Sequence, residues 1–255
     1  MITLLGTSKT MRSAEKNQVS KLFTKPVFNE KISFLSDFMK GLSLEEISEV
    51  MKTSDKLSKE TFELIDKFSN GKNEKLSTPA IYAFTGEVFR AMEISGYNEE
   101  DLLFAQKSFF IVSGMYGLLR PLDLIEPYRL EMGYAPGIKG YRKLSDFWKN
   151  DITDYLNSVI ESNKEKFIID LASKEFTDSI DRKKLKLRLT DVVFKDRKDN
   201  KLKTVAIYSK QARGSMAGFI IKNRIEEKEE LKKFKGLGYS YSKELSGEYK
   251  LTFTR

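Results

Sequence analysis

The stretch "SGMYGLLRPLDLIEPYRLEMG", residues 113–133, changes character every few positions. It holds two prolines, three glycines, two tyrosines, two arginines and three acids, and no hydrophobic period runs through it. Gly114 and Gly117 flank Tyr116, so the backbone there can take positive φ or approach another group closely. Pro121 and Pro127 fix φ and bias Arg120 and Glu126 toward extended conformations. Such a segment is a stiff connection that holds Tyr116, Arg120, Asp123, Glu126, Tyr128, Arg129 and Glu131 at set angles. Two readings stand side by side. In one, the arginines and acids pair with each other and the loop is purely structural. In the other, it is a cleft wall: Arg120 and Arg129 for phosphate, Tyr116 and Tyr128 for stacking, the acids for polar readout.

The flanks set the fold class. Upstream, Asn98 followed by Glu99, Glu100 and Asp101 signals a helix start, with acids at the positive end of the dipole. That helix feeds the apolar run "FFIVSG". Downstream, Ser145 is expected to cap a helix whose Trp148, Ile152, Tyr155, Leu156, Val159 and Ile160 form one stripe. Further out, "MITLLGT" and "KFIIDLAS" read as short buried strands, and "AIYAF" as another. Gly86 to Met92 reads as a turn into a helix. Ser43-x-x-Glu46 is a capping box, and a second helix is expected from Ser58, so residues 43–69 form a helix hairpin. "KLKLRLTDVVF" alternates strictly, and "LKTVAIYSK" follows a charged turn, predicting a β-hairpin. A helix is expected over Met216 to Leu231, and "YSYSKELSGEYKLTFTR" predicts a second hairpin. No repeat, low-complexity tract or linker interrupts this order. The expectation is an α+β (mixed α/β) fold over residues 1–255 as a single domain: a central mixed sheet, surrounding helices and a helix-hairpin-helix-like element near the N-terminus.

Composition excludes several chemistries. The chain of 255 residues has no cysteine and no histidine. Thiolate nucleophiles, disulfides and iron–sulfur clusters are ruled out, as are His-dependent triads. A metal site would have to be oxygen-rich; none is expected, and no cofactor. The longest apolar runs are too short to span a bilayer, and the first residues lack a signal-peptide pattern, so a cytoplasmic protein without membrane contact is expected, as a monomer. The net charge is +8, from 45 Lys and Arg against 37 Asp and Glu. A basic surface attracts phosphate backbones, but placement decides more than the sum.

Three constellations carry that charge. Residues 181–203 hold ten Lys and Arg against four Asp. Within them Lys184, Lys186 and Arg188 are expected on one strand face, about 6.6 Å apart, a spacing comparable with neighbouring phosphates; a solvated strand edge guarded by lysine reads equally well. "SKQARGSM" places Lys210, Arg213 and Gly214 between a strand and a helix, a phosphate site if the helix opens with free N–H groups. Lys9 and Thr10, after the first strand, make a similar but weaker case. The hairpin turn Lys52 to Leu57 has no glycine, which favours a plain αα-hairpin over a phosphate-binding one.

Several blocks together carry a resemblance. "SKTM", "SDKL", "AFTGEVF", "FAQKSFFIVSGMYGLLRPLDLIEPYRLEMG", "FW", "LASKEF" and "ARGSM" followed by "FIIKNRI" occur in this order along the chain. On them the sequence resembles the YaaA family of bacterial peroxide-stress proteins, also called DUF328 or UPF0246. It departs at Gly6-Thr7-Ser8, where the family typically reads Ser-Pro-Ala, and at Asp170, where the family usually has Asn. The resemblance implies a cytoplasmic protein that limits oxidative damage and binds DNA, with an unusual α/β fold, a basic cleft and a helix-hairpin-helix element. Together these readings predict backbone-dominated DNA binding, with affinity falling steeply in salt and little sequence preference. The alternative is an enzyme acting on a nucleobase or nucleotide in the same cleft, with Asp123, Glu126 or Glu131 as the catalytic carboxylate. The absence of a recognised catalytic signature weighs against an enzyme. A protein–protein adaptor would leave little trace in sequence.

Overall fold

The computed structural model describes residues 1–12, 22–71, 76–198 and 201–255. The strands are β1 Ile2–Gly6, β2 Thr78–Pro79, β3 Phe109–Ser113, β4 Gly117–Leu119, β5 Leu124–Ile125, β6 Ile168–Asp170, β7 Leu189–Lys198, β8 Lys201–Lys203, β9 Ser240–Tyr241 and β10 Lys250–Thr254. The helices are α1 Asn29–Lys40, α2 Leu44–Met51, α3 Asp55–Lys67, α4 Ala80–Ala83, α5 Glu87–Ala91, α6 Glu99–Ser108, α7 Leu144–Asn163, α8 Lys174–Thr177 and α9 Ala206–Lys222.

The main sheet has eight strands, ordered β4-β3-β1-β6-β7-β10-β9, with β8 paired to the far end of β7. β3, β1, β6, β7 and β10 run parallel, while β4 and β9 are antiparallel to their neighbours. Every residue of β1, β3 and β6 is buried. Strands covered on both faces read as unbroken apolar runs, which is why "ITLLG" and "FFIVS" lack alternation. The chain is mixed α/β, with helices around this sheet. β1 lies between β3 and β6, so the chain leaves β1 for one neighbour and later crosses to the other. Crevices open beyond the carboxyl ends of strands where the winding reverses in this way. Among the described residues no helix is long and apolar enough to cross a membrane.

Several local expectations hold. The capping box at Ser43–Glu46 is formed, and Asn98 caps α6, with Asp101 closing a second box there. α2 and α3 make the helix hairpin, although α3 begins at Asp55, with Ser54 rather than Ser58 before it. β7 and β8 pair antiparallel, as do β9 and β10; positions 199 and 200 in the charged turn lie outside the described residues. α7 forms, and Trp148, Ile152 and Leu156 are fully buried along it; its cap position is Lys143, and Ser145 is inside.

Other expectations are corrected. "AIYAF" is the short helix α4 followed by Phe84. A wholly buried apolar run carries no period to separate strand from helix, and the alanines tip it. α9 starts ten residues before Met216 and ends at Lys222. "AIYSK" is therefore helix, and Gly214 is interior to it. Residues 181–188 form turns instead of a strand: the Lys184 and Leu185 amides both donate to the Asp181 carbonyl. Asn157 of α7 accepts from the Lys186 amide, which fixes the turn on the helix. The alternation of leucine and cation there has no strand beneath it.

Candidate functional site

A cavity of about 310 Å³ opens at the carboxyl ends of β1 and β6, where the fold reverses its winding. Four segments build it. The first is the turn after β1, Thr7 to Thr10. It is pinned in place: the Thr7 amide donates to Val112, the Thr85 amide to Thr10, and the Ser8 hydroxyl to the Thr10 carbonyl at 2.6 Å. The second is the turn after β6 with α8, giving Ser173 and Glu175. The third is α5, giving Glu87 and Arg90, packed against α9, which gives Lys210 and Arg213. The fourth is the end of the opening stretch, Tyr128 to Glu131.

The polar groups around the cavity are partly committed to each other. Lys9 Nζ lies 2.8 Å from Glu131, whose other oxygen accepts from the Tyr134 hydroxyl at 2.8 Å. An Arg129 terminal nitrogen donates to the Lys9 carbonyl at 3.1 Å. Glu87 pairs with Arg90 at 2.6 Å and accepts from Gln211. Two buried donors are not committed. The Nε atoms of Arg129 and Arg213 are buried and have no hydrogen-bond partner among the described residues. A buried guanidinium nitrogen without an acceptor is costly, and a ligand oxygen would relieve the cost. Burial lowers the Arg213 pKa, and the Asp170 charge opposes the shift; guanidinium stays protonated regardless. Tyr128 sits at the cavity wall with its hydroxyl 2.6 Å from Ser113 Oγ, and burial raises its pKa.

Lys9, Thr10, Tyr128, Arg129, Lys210 and Arg213 thus come together, with Glu131 beside them. The other residues singled out in the sequence lie elsewhere. Tyr116 is 2% exposed and packs against Phe68 and Tyr128, its hydroxyl accepting from the Glu126 amide at 2.9 Å. Burial lifts its pKa well above the usual tyrosine range. It offers no face for stacking. Asp123 is fully buried, accepting from Thr24, the Arg120 amide and the Arg120 guanidinium. Glu126 accepts from the Ser69 amide and hydroxyl and from the Gly71 amide, which ties down the chain after α3. These two acids are staples. Arg120 is held by Asp123 and the Lys25 carbonyl through a terminal nitrogen, away from the cavity, although its own buried Nε also lacks a partner among the described residues. Glu131 alone of the three candidate carboxylates reaches the cavity.

Lys184, Lys186 and Arg188 precede the amino end of β7, whereas the cavity lies at carboxyl ends. Lys186 pairs with Glu161, Lys184 bonds Asn150, and Arg188 stacks on Tyr249 at 4.0 Å. Gly214 faces α5 and does not line the cavity. Sequence reasoning missed Glu87, Arg90, Ser173 and Glu175. Their signal was available: Gly86-Glu87 lies in "AFTGEVF", and Ser173 and Glu175 in "LASKEF". Among the described residues no group of three acidic side chains is arranged to hold a metal ion.

A family model described as "Peroxide stress protein YaaA" matches residues 1–245. A UPF0246 protein of Francisella tularensis subsp. tularensis is 37% identical over 256 residues, covering all of both chains. A UPF0246 protein of Crocosphaera subtropica is 33% identical over 255 residues, again covering both chains fully.

Proposed function

This chain belongs to the peroxide stress protein YaaA (UPF0246) family, and from that premise we propose that it acts by binding DNA, with a backbone phosphate held in the cavity at the carboxyl ends of β1 and β6. One observation carries the reading: Arg129 and Arg213, from distant parts of the chain, both line the cavity and both bury an Nε without an acceptor. Lys9, Arg90 and Lys210 add positive charge at the same place. Phosphate oxygens suit such donors, because charge-assisted bonds to guanidinium are the strong ones. Of the acids lining the cavity, Glu87 and Glu131 are each tied to a cation of the site, so they repel an incoming anion less than free carboxylates would. Glu175 is bonded, among the described residues, only to the Gly133 amide and offsets part of the positive charge. With phosphate as the recognised group, binding is backbone-dominated and tolerant of sequence.

The α2–α3 hairpin has no part in this reading. Its turn lacks glycine, and α3 has no side-chain cap bond that would shape an anion site.

The test is titration of a mixed-sequence duplex with the parent chain, Arg129→Gln and Arg213→Gln over a range of salt. Each substitution is expected to weaken binding by about 1–3 kcal/mol. Each should also make the salt dependence shallower by about one contact. Parent-like affinity and slope in both folded variants would remove the cavity from the account.

A further inference from the structure

β7 is long for this sheet. Its partner β6 ends in register with Asp191, and β7 continues for seven more residues to Lys198. At about 3.3 Å per residue that is roughly 23 Å of strand beyond the carboxyl end of β6. β10 accompanies it as far as Lys195, and from Asp196 outward its partner is β8. The result is a two-stranded ribbon that rises from the edge of the sheet where the cavity opens.

The ribbon is basic. Residues 195–203 carry five Lys and Arg and two Asp. Asp196 is locked at its base, bonded to Tyr239 and paired with Arg255 at 2.7 Å. Lys198 and Lys201 stand directly opposite each other in the register. Arg197, Lys198, Lys201 and Lys203 are exposed and have no ion pair among the described residues. Like charges directly opposite on neighbouring strands destabilise a sheet. A single edge lysine suffices to discourage strand pairing, so the facing pair goes beyond that need. After the ribbon the chain enters α9 at Ala206, and Arg213 follows seven residues later, about 10 Å along the helix axis. Ribbon and cavity are therefore neighbours, joined by one rigid element.

We propose that the β7–β8 ribbon is a second contact surface for duplex DNA, an arm laid against the phosphates beside the one held in the cavity. Two-stranded ribbons match the width of the major groove, and unpaired cations release counterions from a duplex. The inference rests on the nucleic-acid reading of the cavity and adds a separate set of residues to it.

The experiment uses the full chain with Lys198→Glu/Lys201→Glu and, as a milder change, Lys198→Gln/Lys201→Gln. Binding of a blunt mixed-sequence duplex is followed by fluorescence anisotropy across salt concentrations, and binding to phosphatidylserine vesicles by sedimentation. The Glu pair should lower duplex affinity at least tenfold at low salt and make the salt slope shallower by about two contacts. The Gln pair should fall between parent and Glu pair. The Gln pair should not lower the melting temperature, because it removes a repulsion; the Glu pair replaces one facing like-charge pair by another and should melt close to the parent. Unchanged duplex affinity and slope in the Glu pair would overturn the proposal. So would a loss confined to the vesicles, which would assign the ribbon to an anionic membrane surface. If Arg129→Gln and Arg213→Gln weaken duplex binding while the ribbon variants do not, only the ribbon falls. If the parent binds no duplex at any salt, the cavity reading falls with it.

Discussion

Asp170 ends β6 with 6% exposure, one oxygen accepting from the Ala172 amide at 2.8 Å and the other 3.5 Å from Arg182. Burial pushes its pKa up to about 7, and Asp191 adds to the rise while Arg182 and Arg213 oppose it. The folded chain therefore keeps a proton that the unfolded chain gives up near its ordinary value of 3.8. Stability from this group is full below that value and is lost as pH climbs to about 7. Asp170→Asn cannot ionise and can still accept from Ala172. It should unfold at a higher temperature than the parent above neutrality, with the gap closing as pH falls to about 4. Each tenfold difference in proton affinity between the folded and unfolded chains is worth on the order of 1.4 kcal/mol. Melting curves of both chains across that range check this; parallel curves would show that Asp170 is solvated enough to ionise freely. Residue chemistry was only partly legible in the sequence. Residue type was plain, but partners were not: Asp123 finds Thr24, 99 positions away, and Glu126 finds Ser69, 57 positions away. Those long-range bonds turned two candidate carboxylates into staples, and nothing local announced them.

α9 shows the same limit for elements. Its Gly214 reads as a break between strand and helix, yet the glycine serves helix packing. A Cβ added there would lie 2.0 Å from the Val88 carbonyl oxygen and 2.9 Å from Ala91 Cβ, both on α5. Alanine is worth about 1 kcal/mol more than glycine in a helix interior, so Gly214→Ala would stabilise an isolated α9. Here overpacking, typically about 1–3 kcal/mol, should win. Gly214→Ala should melt at a lower temperature and lose duplex affinity as well, because α5 and α9 both supply cavity residues. A variant more stable than the parent would mean that α5 steps aside at no cost. Elements whose signals are local were legible: the Ser43 capping box, the Asn98 cap and the α2–α3 hairpin follow from a few adjacent residues. In contrast, α4 and residues 181–188 depend on what they pack against, so their patterns misled.

At the scale of the molecule, the parallel strands decide where chemistry can sit. β1, β3 and β6 point their carboxyl ends at one crevice, and the turns that leave them deliver Lys9 and Glu175 there, while α9 delivers Arg213. The strands were legible as apolar runs, but their order in the sheet was not, and that order makes the crevice. Net charge of +8 is likewise spread over surfaces that sequence weighs equally. Structure separates them: the turns around Lys184 and Lys186 lie toward the amino end of β7, the cavity and the ribbon toward the carboxyl end. Lysine acetylation footprinting with and without duplex DNA tests this division most directly. Bound DNA should protect Lys9 and Lys210 from modification and leave Lys184 and Lys186 as reactive as in the free chain. Protection of Lys184 and Lys186, with Lys9 and Lys210 still reactive, would contradict the account.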